Sequence, residues 1–302
     1  MNSSIIKNIY TYPIPTFVEN IHLLLTGSLL LTTFSSGSLL ILDSSSVSPL
    51  PKPLITLPNA TGLTGIARVG EDTYAVSGGN HTHFAFEIDS MFVYIVRIGA
   101  DEVGELVDMI PVPVVRMMNG MASLPSSPHI ILSADSLAGT IIRVDTRTRS
   151  IATLISDPAL GPGNSSVPLG INGLKIRDGY CYFTNSALGT FSRYAIDEET
   201  GEKRGEIVVI ARLEGQVGMG NAYDDFDVDG EGNAWLAVHD RSVQKVSVDG
   251  TTTMVRGGEG VVFRAPTAVV MAGDGKSFFL STGGGVVNGV EYGGQVWSVE
   301  CW

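Results

Sequence analysis

The segment Gly139-Thr-Ile-Ile-Arg-Val-Asp145 shows the pattern that decides the fold: a small residue, then alternating apolar positions, then an acid. Such alternation is typical of a half-buried β-strand. The pattern returns along the chain at residues 37–43, 91–97 (the loosest copy), 139–145, 189–197, 241–249 and 294–300. Six copies in 302 residues give a period of about 50 residues, the size of one four-stranded propeller blade.

Each copy lies inside a longer unit. An inner phrase precedes it, at residues 19–21, 64–67, 119–122, 172–174, 223–226 and 266–268. A turn then leads into a very apolar strand such as Ala234-Trp-Leu-Ala-Val238, and a short outer strand such as residues 151–155 follows the repeated pattern. Helical periodicity is nowhere sustained. The sequence therefore predicts an all-β protein, a six-bladed β-propeller with four antiparallel strands per blade.

We expect one domain spanning residues 1–302. The approximate blades are 17–61, 62–114, 115–160, 168–214, 220–258 and 262–302 plus 4–11. The last unit has no room for a fourth strand, whereas Ile5-Ile6-Lys7-Asn8-Ile9-Tyr10 is a spare β-prone segment ahead of the first unit. Pairing this N-terminal strand onto the last blade would close the ring and hide an open edge. The alternative is a frayed N-terminal tail.

Composition excludes several classes of function. Apolar residues make up 44% of the chain and charged residues 17%, and the net charge is −12. An acidic balance argues against a nucleic-acid partner, which needs clustered cations. The uncharged stretch 22–42 is interrupted by Thr26-Gly27-Ser28 and Ser35-Ser36-Gly37-Ser38, so we expect buried strands there and no membrane span. Without a recognisable signal peptide we expect a cytoplasmic protein, in which Cys181 and Cys301 stay free thiols.

The inner phrases direct the search for function, because the innermost strands of a propeller surround a central channel. The side chains at equivalent positions of the six phrases are Glu19, Thr64, Asn119, Asn172, Asp224 and Thr267. Two carboxylates and two amides are hard oxygen ligands that suit Ca²⁺ or Mg²⁺. The alternative is that these side chains only hydrogen-bond neighbouring loops and one another.

Longer motifs resemble a known superfamily. They include Glu19-Asn-Ile21, Asn119-Gly-Met-Ala122, Ala134-Asp-Ser-Leu-Ala-Gly-Thr-Ile141, Gly170-Ile-Asn-Gly-Leu174, Phe183-Thr-Asn-Ser186 and Asp229-Gly-Glu-Gly-Asn-Ala-Trp235. Over essentially its whole length the chain resembles the six-bladed propellers of the senescence-marker-protein-30/gluconolactonase-like superfamily, especially a filamentous-fungal branch. The resemblance implies a divalent cation held by Glu19, Asn172 and Asp224, and a substrate-facing Asn119. Here Tyr223-Asp224-Asp225 stands where the family has Pro-Asp-Gly.

The fungal branch also resembles hetero-Diels–Alderases of tropolone sesquiterpenoid biosynthesis. That resemblance implies a pericyclase of secondary metabolism that joins a quinone-methide-type heterodiene to a sesquiterpene alkene in the central channel, with no required cofactor. Such a reaction needs an apolar cavity and a donor where negative charge grows. The predicted catalytic residues are Asn119, Asn172, Tyr223, Asp224 and His239. The predicted substrate-binding residues are Glu19, Thr64, His81, Met118, Met121, Asn185, Ser186, Phe191, Met219, Phe226 and Thr267, and Met117 is a further apolar candidate.

Two other functions stay open. One is a divalent-metal-dependent lactone hydrolase that uses Glu19, Asn172 and Asp224. The other is a propeller that binds a ligand without catalysis. The methionine-rich segment Arg116-Met-Met-Asn-Gly-Met121 favours small hydrophobic substrates as partners, because methionine adapts to irregular apolar ligands. His81-Thr-His83 could chelate a metal, but a hydrogen-bonded or substrate-facing pair is the preferred interpretation.

Overall fold

Residues 5–239, 241–256, 262–287 and 289–301 are described by a computed structural model of the chain. These residues form 28 strands and contain no helix. The strands are β1 (Ile6–Thr11), β2 (Val18–Leu23), β3 (Leu29–Thr33), β4 (Ser38–Leu42), β5 (Lys52–Thr56), β6 (Gly62–Arg68), β7 (Thr73–Gly79), β8 (His81–Thr82), β9 (Ala85–Phe86), β10 (Phe92–Ile98), β11 (Gly104–Pro111), β12 (Met118–Leu124), β13 (Ser127–Asp135), β14 (Thr140–Asp145), β15 (Ser150–Ser156), β16 (Ile171–Arg177), β17 (Tyr180–Asn185), β18 (Thr190–Ala195), β19 (Val208–Arg212), β20 (Tyr223–Val228), β21 (Ala234–Val238), β22 (Ser242–Val246), β23 (Thr252–Arg256), β24 (Pro266–Met271), β25 (Ser277–Thr282), β26 (Gly285–Val287), β27 (Val290–Tyr292) and β28 (Gln295–Glu300).

Six four-stranded antiparallel sheets form the blades, which confirms the predicted fold class. Blade 1 holds β2–β5, blade 2 holds β6, β7, β10 and β11, and blades 3, 4 and 5 hold β12–β15, β16–β19 and β20–β23. Blade 6 holds β24, β25, β28 and β1. The repeated sequence pattern is the third strand of every blade. Two short hairpins, β8–β9 and β26–β27, are inserted between the second and third strands of blades 2 and 6.

The N-terminal strand closes the ring, as predicted. β1 pairs antiparallel with β28, from Ile6 opposite Val299 to Thr11 opposite Gln295. The first and last parts of the chain therefore share one sheet, and the inner three strands of blade 6 are not left with an open edge. Among the boundary residues of the predicted blades, 4, 257–258 and 302 lie outside the described residues.

The hydrophobic core is divided among the interfaces between blades. Each of six apolar clusters draws side chains from two neighbouring blades. Trp235 and Phe278, for example, pack across the interface of blades 5 and 6 with ring centroids 5.2 Å apart. Cys181 is buried between blades 3 and 4, where burial raises the pKa of its thiol to about 12. Both cysteines are free, in agreement with the prediction.

A membrane-spanning helix is absent from the described residues.

Candidate active site

All six innermost strands break register at the same place. The breaks fall between Val18 and Asn20, Leu63 and Ile66, Met118 and Met121, Ile171 and Leu174, Tyr223 and Phe226, and Pro266 and Ala268. The first residues inside the six breaks are Glu19, Thr64, Asn119, Asn172, Asp224 and Thr267, each at the position predicted from its inner phrase. A β-bulge bends its strand and redirects a side chain. The bulges thus form a ring at one end of the channel.

Glycines let these innermost strands approach one another. A Cβ atom at Gly65 would lie 2.1 Å from the carbonyl oxygen of Asn119, and one at Gly120 would lie 2.4 Å from that of Asn172. A Cβ at Gly173 would meet Asp225 Oδ1 at 2.5 Å. Three consecutive inner strands therefore require a glycine directly after the bulge residue, because backbone of the next blade fills the space.

Four members of the ring, Glu19, Asn119, Asn172 and Asp224, form the floor of a cavity of about 420 Å³. Most of the wall is apolar. The lining residues are Phe17, Glu19, Phe34, His83, Phe84, Ala85, Met117, Asn119, Leu137, Pro168, Leu169, Asn172, Met219, Asp224 and His239. An apolar chamber with a few converging polar groups is the usual form of a small-molecule site.

A hydrogen-bonded acid–imidazole pair occupies one side of the floor. His239 Nε2 lies 2.7 Å from Asp224 Oδ2, and its Nδ1 lies 3.3 Å from the carbonyl oxygen of Met219. Burial alone would lower the pKa of His239, but the hydrogen bond and the negative charge of Asp224 outweigh it, so the pKa is raised. Burial also raises the pKa of Asp224, against the opposing effect of His239. The imidazole is thereby held in one orientation with both nitrogens engaged.

Glu19 faces the same floor as a second carboxyl group. Its side chain is 5% exposed and has no hydrogen-bond partner among the described residues. Burial, and then the negative charges of Asp224 and Asp225, raise the pKa of Glu19 well above its ordinary value. Both causes disfavour the charged carboxylate, and the protonated carboxyl that they favour is able to donate a hydrogen bond.

Two amide side chains complete the floor. Asn172 Nδ2 donates to Ser186 Oγ at 3.0 Å, and Ser186 Oγ donates to the carbonyl oxygen of Tyr223 at 2.7 Å. The Oδ1 atoms of Asn119 and Asn172 are buried and have no hydrogen-bond partner within the described part of the chain. Unsatisfied buried acceptors next to two carboxyl groups fit a hard divalent cation. In the same residues no group of three or more His, Cys, Asp or Glu side chains is arranged to hold a metal, so a cation would need the amides.

The structure brings six predicted site residues to the cavity: Glu19, Asn119, Asn172, Met219, Asp224 and His239. Met117, the further apolar candidate, joins them. Other predicted residues lie behind the floor. Thr64 hydrogen-bonds Ser77 at 2.7 Å, and Thr267 Oγ1 donates to the carbonyl oxygen of Val18 at 2.8 Å. These two buried threonines join neighbouring strands and do not line the cavity.

Three more predicted polar residues hold backbone or core groups. Asn185 Nδ2 donates to the carbonyl oxygens of Ala159 and Gly161, which supports the loop between blades 3 and 4. The hydroxyl of Tyr223 hydrogen-bonds Gln244 within blade 5. Ser186 acts on the site only through Asn172. Their placement corrects the expectation that these side chains face the channel.

The predicted apolar walls need a similar correction. Met118 and Met121 lie in the core between blades 2 and 3, and Phe191 and Phe226 lie in the core between blades 4 and 5. Met121 also reaches a cavity at the opposite end of the channel. Side chains that flank a bulge residue along a strand point to the other face. They therefore enter the interblade core when Asn119 or Asp224 faces the channel.

The walls come instead from loops that the repeats do not reveal. The β8–β9 hairpin contributes His83, Phe84 and Ala85, and His83 and Phe84 have φ angles of 50° and 64°. Positive φ is uncommon for bulky residues and marks a conformation held by its surroundings. His81 Nε2 hydrogen-bonds the carbonyl oxygen of Phe34 at 2.8 Å and lies behind the wall. The two histidines of the His81-Thr-His83 segment therefore have different surroundings: His81 is hydrogen-bonded behind the wall, and His83 faces the cavity.

Comparison with known proteins shows the fold. No protein-family model matches the sequence, and no curated protein sequence matches it. Among solved structures, the chain is similar to a luciferin-regenerating enzyme (TM-score 0.68, 15% identity, covering 99% of this chain and 95% of that one). It is also similar to a calcium-binding regucalcin from Agrobacterium tumefaciens (TM-score 0.63, 16% identity, covering 98% of this chain and 94% of that one). A gluconolactonase from Xanthomonas campestris is a third similar structure (TM-score 0.65, 13% identity, covering 99% of this chain and 90% of that one). The resemblance to regucalcin and gluconolactonase propellers is thus confirmed for the fold; that to hetero-Diels–Alderases stays a prediction.

Proposed function

We propose that the cavity is the active site of an enzyme that joins two small, predominantly apolar molecules by hetero-Diels–Alder cyclisation. The observation that carries this proposal is the combination of an apolar chamber with hydrogen-bonding groups confined to its floor. The reaction joins a quinone-methide-type heterodiene to a sesquiterpene alkene, forms one C–C and one C–O bond, and releases no atom. It therefore requires neither a nucleophile nor a leaving group.

The walls supply most of the catalysis in this proposal. Phe17, Phe34 and Phe84 form a cluster of edge-to-face rings with centroid separations between 5.0 and 5.5 Å. This aromatic cluster packs beside the two reactants and excludes water, which converts an encounter in solution into a reaction of held partners. Orientation of this kind also selects the face on which the alkene adds.

The floor supplies a hydrogen bond to the oxygen of the heterodiene. Negative charge grows on that oxygen as the bonds form, so a donor placed there stabilises the transition state more than the reactants. The carboxyl of Glu19, whose buried environment favours its protonated form, and the amide of Asn119 lie at this floor. The Asp224–His239 pair satisfies its own charges at 2.7 Å and fixes the remaining side of the floor.

Replacing Phe84 by alanine tests the role of the walls. Phe84 is 51% exposed at the cavity mouth, so its loss opens the chamber with little effect on the core. We expect the wild-type chain to form the cycloadduct as one stereoisomer. We expect F84A to form it roughly 10–100-fold more slowly and with mixed stereochemistry. The product is measured by chiral chromatography after incubation with a generated o-quinone methide and a macrocyclic sesquiterpene alkene.

The matched control is Ile88→Ala, which removes an apolar side chain that is 90% exposed and does not line the cavity. I88A is expected to behave as the wild-type chain does. If no cycloadduct forms above the uncatalysed rate, the proposed reaction is wrong. If F84A and wild type give the same rate and stereochemistry, the walls do not orient the reactants.

A second function, lactone hydrolysis with a divalent cation, is favoured by the two unsatisfied amide oxygens. Glu19, Asn172 and Asp224 would hold the cation, which when bound would polarise a lactone carbonyl and acidify water. Asp224 would then accept a proton from that water, and His239 would keep the Asp224 carboxylate oriented. The likeness to structures described as a gluconolactonase and a calcium-binding regucalcin supports this candidate. The apolar walls would select a hydrophobic lactone.

Chelation separates the two functions. Because Asp224 is already hydrogen-bonded to His239, we expect cycloadduct formation to be the same in EDTA and in CaCl2. Calorimetric titration with CaCl2, and the melting temperature with and without EDTA, provide the measurement. Saturable Ca²⁺ binding that Asn172→Leu abolishes, together with Ca²⁺-dependent lactone hydrolysis, would establish the second function in place of the first. Asn164→Leu, at an exposed turn, is the control substitution.

A further inference from the structure

A second cavity of about 400 Å³ opens at the opposite end of the channel. It is formed by the later residues of the same innermost strands. The residues at this second ring are His22, Ala67, Ala122, Lys175, Asp227 and Val270. Three are small or apolar and three are ionisable, so this ring differs in chemistry from the bulge ring.

A polar crosslink separates the two cavities. Asn20 Nδ2 donates to Asp225 Oδ2 at 2.9 Å, and Lys175 Nζ lies 2.7 Å from Asp225 Oδ1. The crosslink joins strands from blades 1, 4 and 5 across the channel between the bulge ring and the second ring. The two cavities have no lining residue in common, so the far cavity is a site of its own.

The far cavity holds a fixed positive charge. Arg68 donates from Nε to the carbonyl oxygen of Gly70 at 2.9 Å and from Nη2 to that of Glu71 at 3.0 Å. No carboxylate pairs with it among the described residues, although the chain carries 31 acidic side chains against 19 basic ones. Carbonyl partners orient a guanidinium without neutralising it. Arg68 is thus a preorganised cation at the cavity rim.

Two further ionisable side chains limit this charge. Arg177 lies at the rim but is shared among the carboxylate of Asp178 at 3.1 Å and backbone carbonyls of blade 5, including that of Val228. Asp227 accepts hydrogen bonds from the backbone amides of Val228 and Met271, both at 2.8 Å, and burial raises its pKa. The backbone amides hold the Asp227 carboxyl in place, and the upward shift of its pKa favours the protonated, uncharged form.

His22 lines the far cavity, and its pKa depends on the positive charges around it. Its ring packs against Tyr74 with centroids 5.4 Å apart, and it has no hydrogen-bond partner among the described residues. Burial, then the positive charges of Lys175 and Arg68, lower the pKa of His22 to about 4. Near neutral pH the imidazole is uncharged, with one N–H free to donate and a positive potential around it.

We propose that the far cavity is a second binding site, for a small organic carboxylate. The carboxylate would pair with Arg68 and accept the N–H of His22, beside Lys175, which is already paired with Asp225. An aliphatic tail would pack on Ala67, Ala122 and Val270. A positive site with an apolar side favours an amphiphilic anion over an inorganic one. This inference is independent of the reaction at the bulge ring.

NMR of the histidine rings tests the proposal, because the chain has only five histidines. The His22 signal is assigned by its loss in His22→Phe, and wild type is titrated with sodium hexanoate at constant ionic strength in NaCl. We expect a saturable shift of the His22 signal and none of the His239 signal. Arg68→Gln should weaken hexanoate binding at least tenfold. Arg97→Gln, at an exposed position paired with Glu105, should leave binding unchanged.

Four results would overturn the proposal. They are the absence of a saturable His22 shift, an equal shift with NaCl alone, a shift of His239 in place of His22, and wild-type affinity in R68Q. A separate titration uses inorganic phosphate. If phosphate shifts the His22 signal saturably and hexanoate does not, the carboxylate assignment is wrong. Since none of these measurements uses catalysis, failure of the proposed reaction does not affect them.

Discussion

A chain with alanine in place of Gly120 is expected to be strongly destabilised and inactive. The added Cβ would lie 2.4 Å from the carbonyl oxygen of Asn172, 2.5 Å from the amide nitrogen of Leu174 and 2.6 Å from Cα of Gly173. All three atoms belong to the backbone of β16, so no side chain can rotate away. We expect a loss of about 3 kcal/mol or more in the free energy of unfolding, and a melting temperature lower by roughly 6 °C or more.

Gly273→Ala is the matched control, because a Cβ at Gly273 meets nothing within 4 Å and its φ is not positive. Thermal unfolding followed by circular dichroism compares the two variants with wild type. Any G120A protein that folds should have lost activity, since β16 would have moved together with Asn172. A melting temperature of G120A equal to that of G273A would contradict the close packing of the inner strands.

Replacing Glu19 by leucine is expected to lower the cyclisation rate about 10²–10³-fold, the usual effect of losing a hydrogen-bond donor to a developing oxyanion. Glu19→Gln, which keeps a donor of similar shape, should recover part of the rate. Because the protonated carboxyl of Glu19 is the proposed hydrogen-bond donor, the wild-type rate should fall as pH rises through the raised pKa of this carboxyl. The rate of E19Q should not follow that dependence.

The thermal stability of E19L shows whether a lower rate comes from lost catalysis or from unfolded protein. The pKa of Glu19 is raised in the folded chain, so the folded state keeps a proton that the unfolded state releases above its ordinary pKa. The contribution of Glu19 to the free energy of unfolding therefore decreases as pH rises. E19L should accordingly unfold at or above the wild-type temperature at pH 8. A wild-type rate that increases with pH would show that the ionised carboxylate is the active form, as cation binding requires.

The architecture could be predicted because it repeats. Six copies of one strand pattern at a constant period define the blades, and the spare segment 5–10 ahead of a last unit that lacks a strand defines the closure. The same recurrence placed Glu19, Asn119, Asn172 and Asp224 on one ring, because equivalent positions of equivalent strands meet at the same level of the channel.

The walls could not be predicted in the same way. Phe17, Phe34 and Phe84 come from connections and an inserted hairpin that have no counterpart in the other units. Their meeting at one mouth depends on how two blades pack together. The sequence predicts Met118 and Phe226 as channel walls because they lie at the inner phrases. In the structure these residues border the register breaks of β12 and β20, and their side chains point to the opposite face.

By itself, the sequence determined the number of blades, the strand that closes them and the chemistry of the bulge ring, since these depend on local patterns and their period. Only the tertiary structure decided which polar groups are free. It pairs Asp224 with His239, occupies Asn172 Nδ2 with Ser186, raises the pKa of Glu19, and places a second cavity beyond the Asn20–Asp225 crosslink. Hydrogen bonds and proton affinities depend on distance and burial in three dimensions, which no period along the chain encodes.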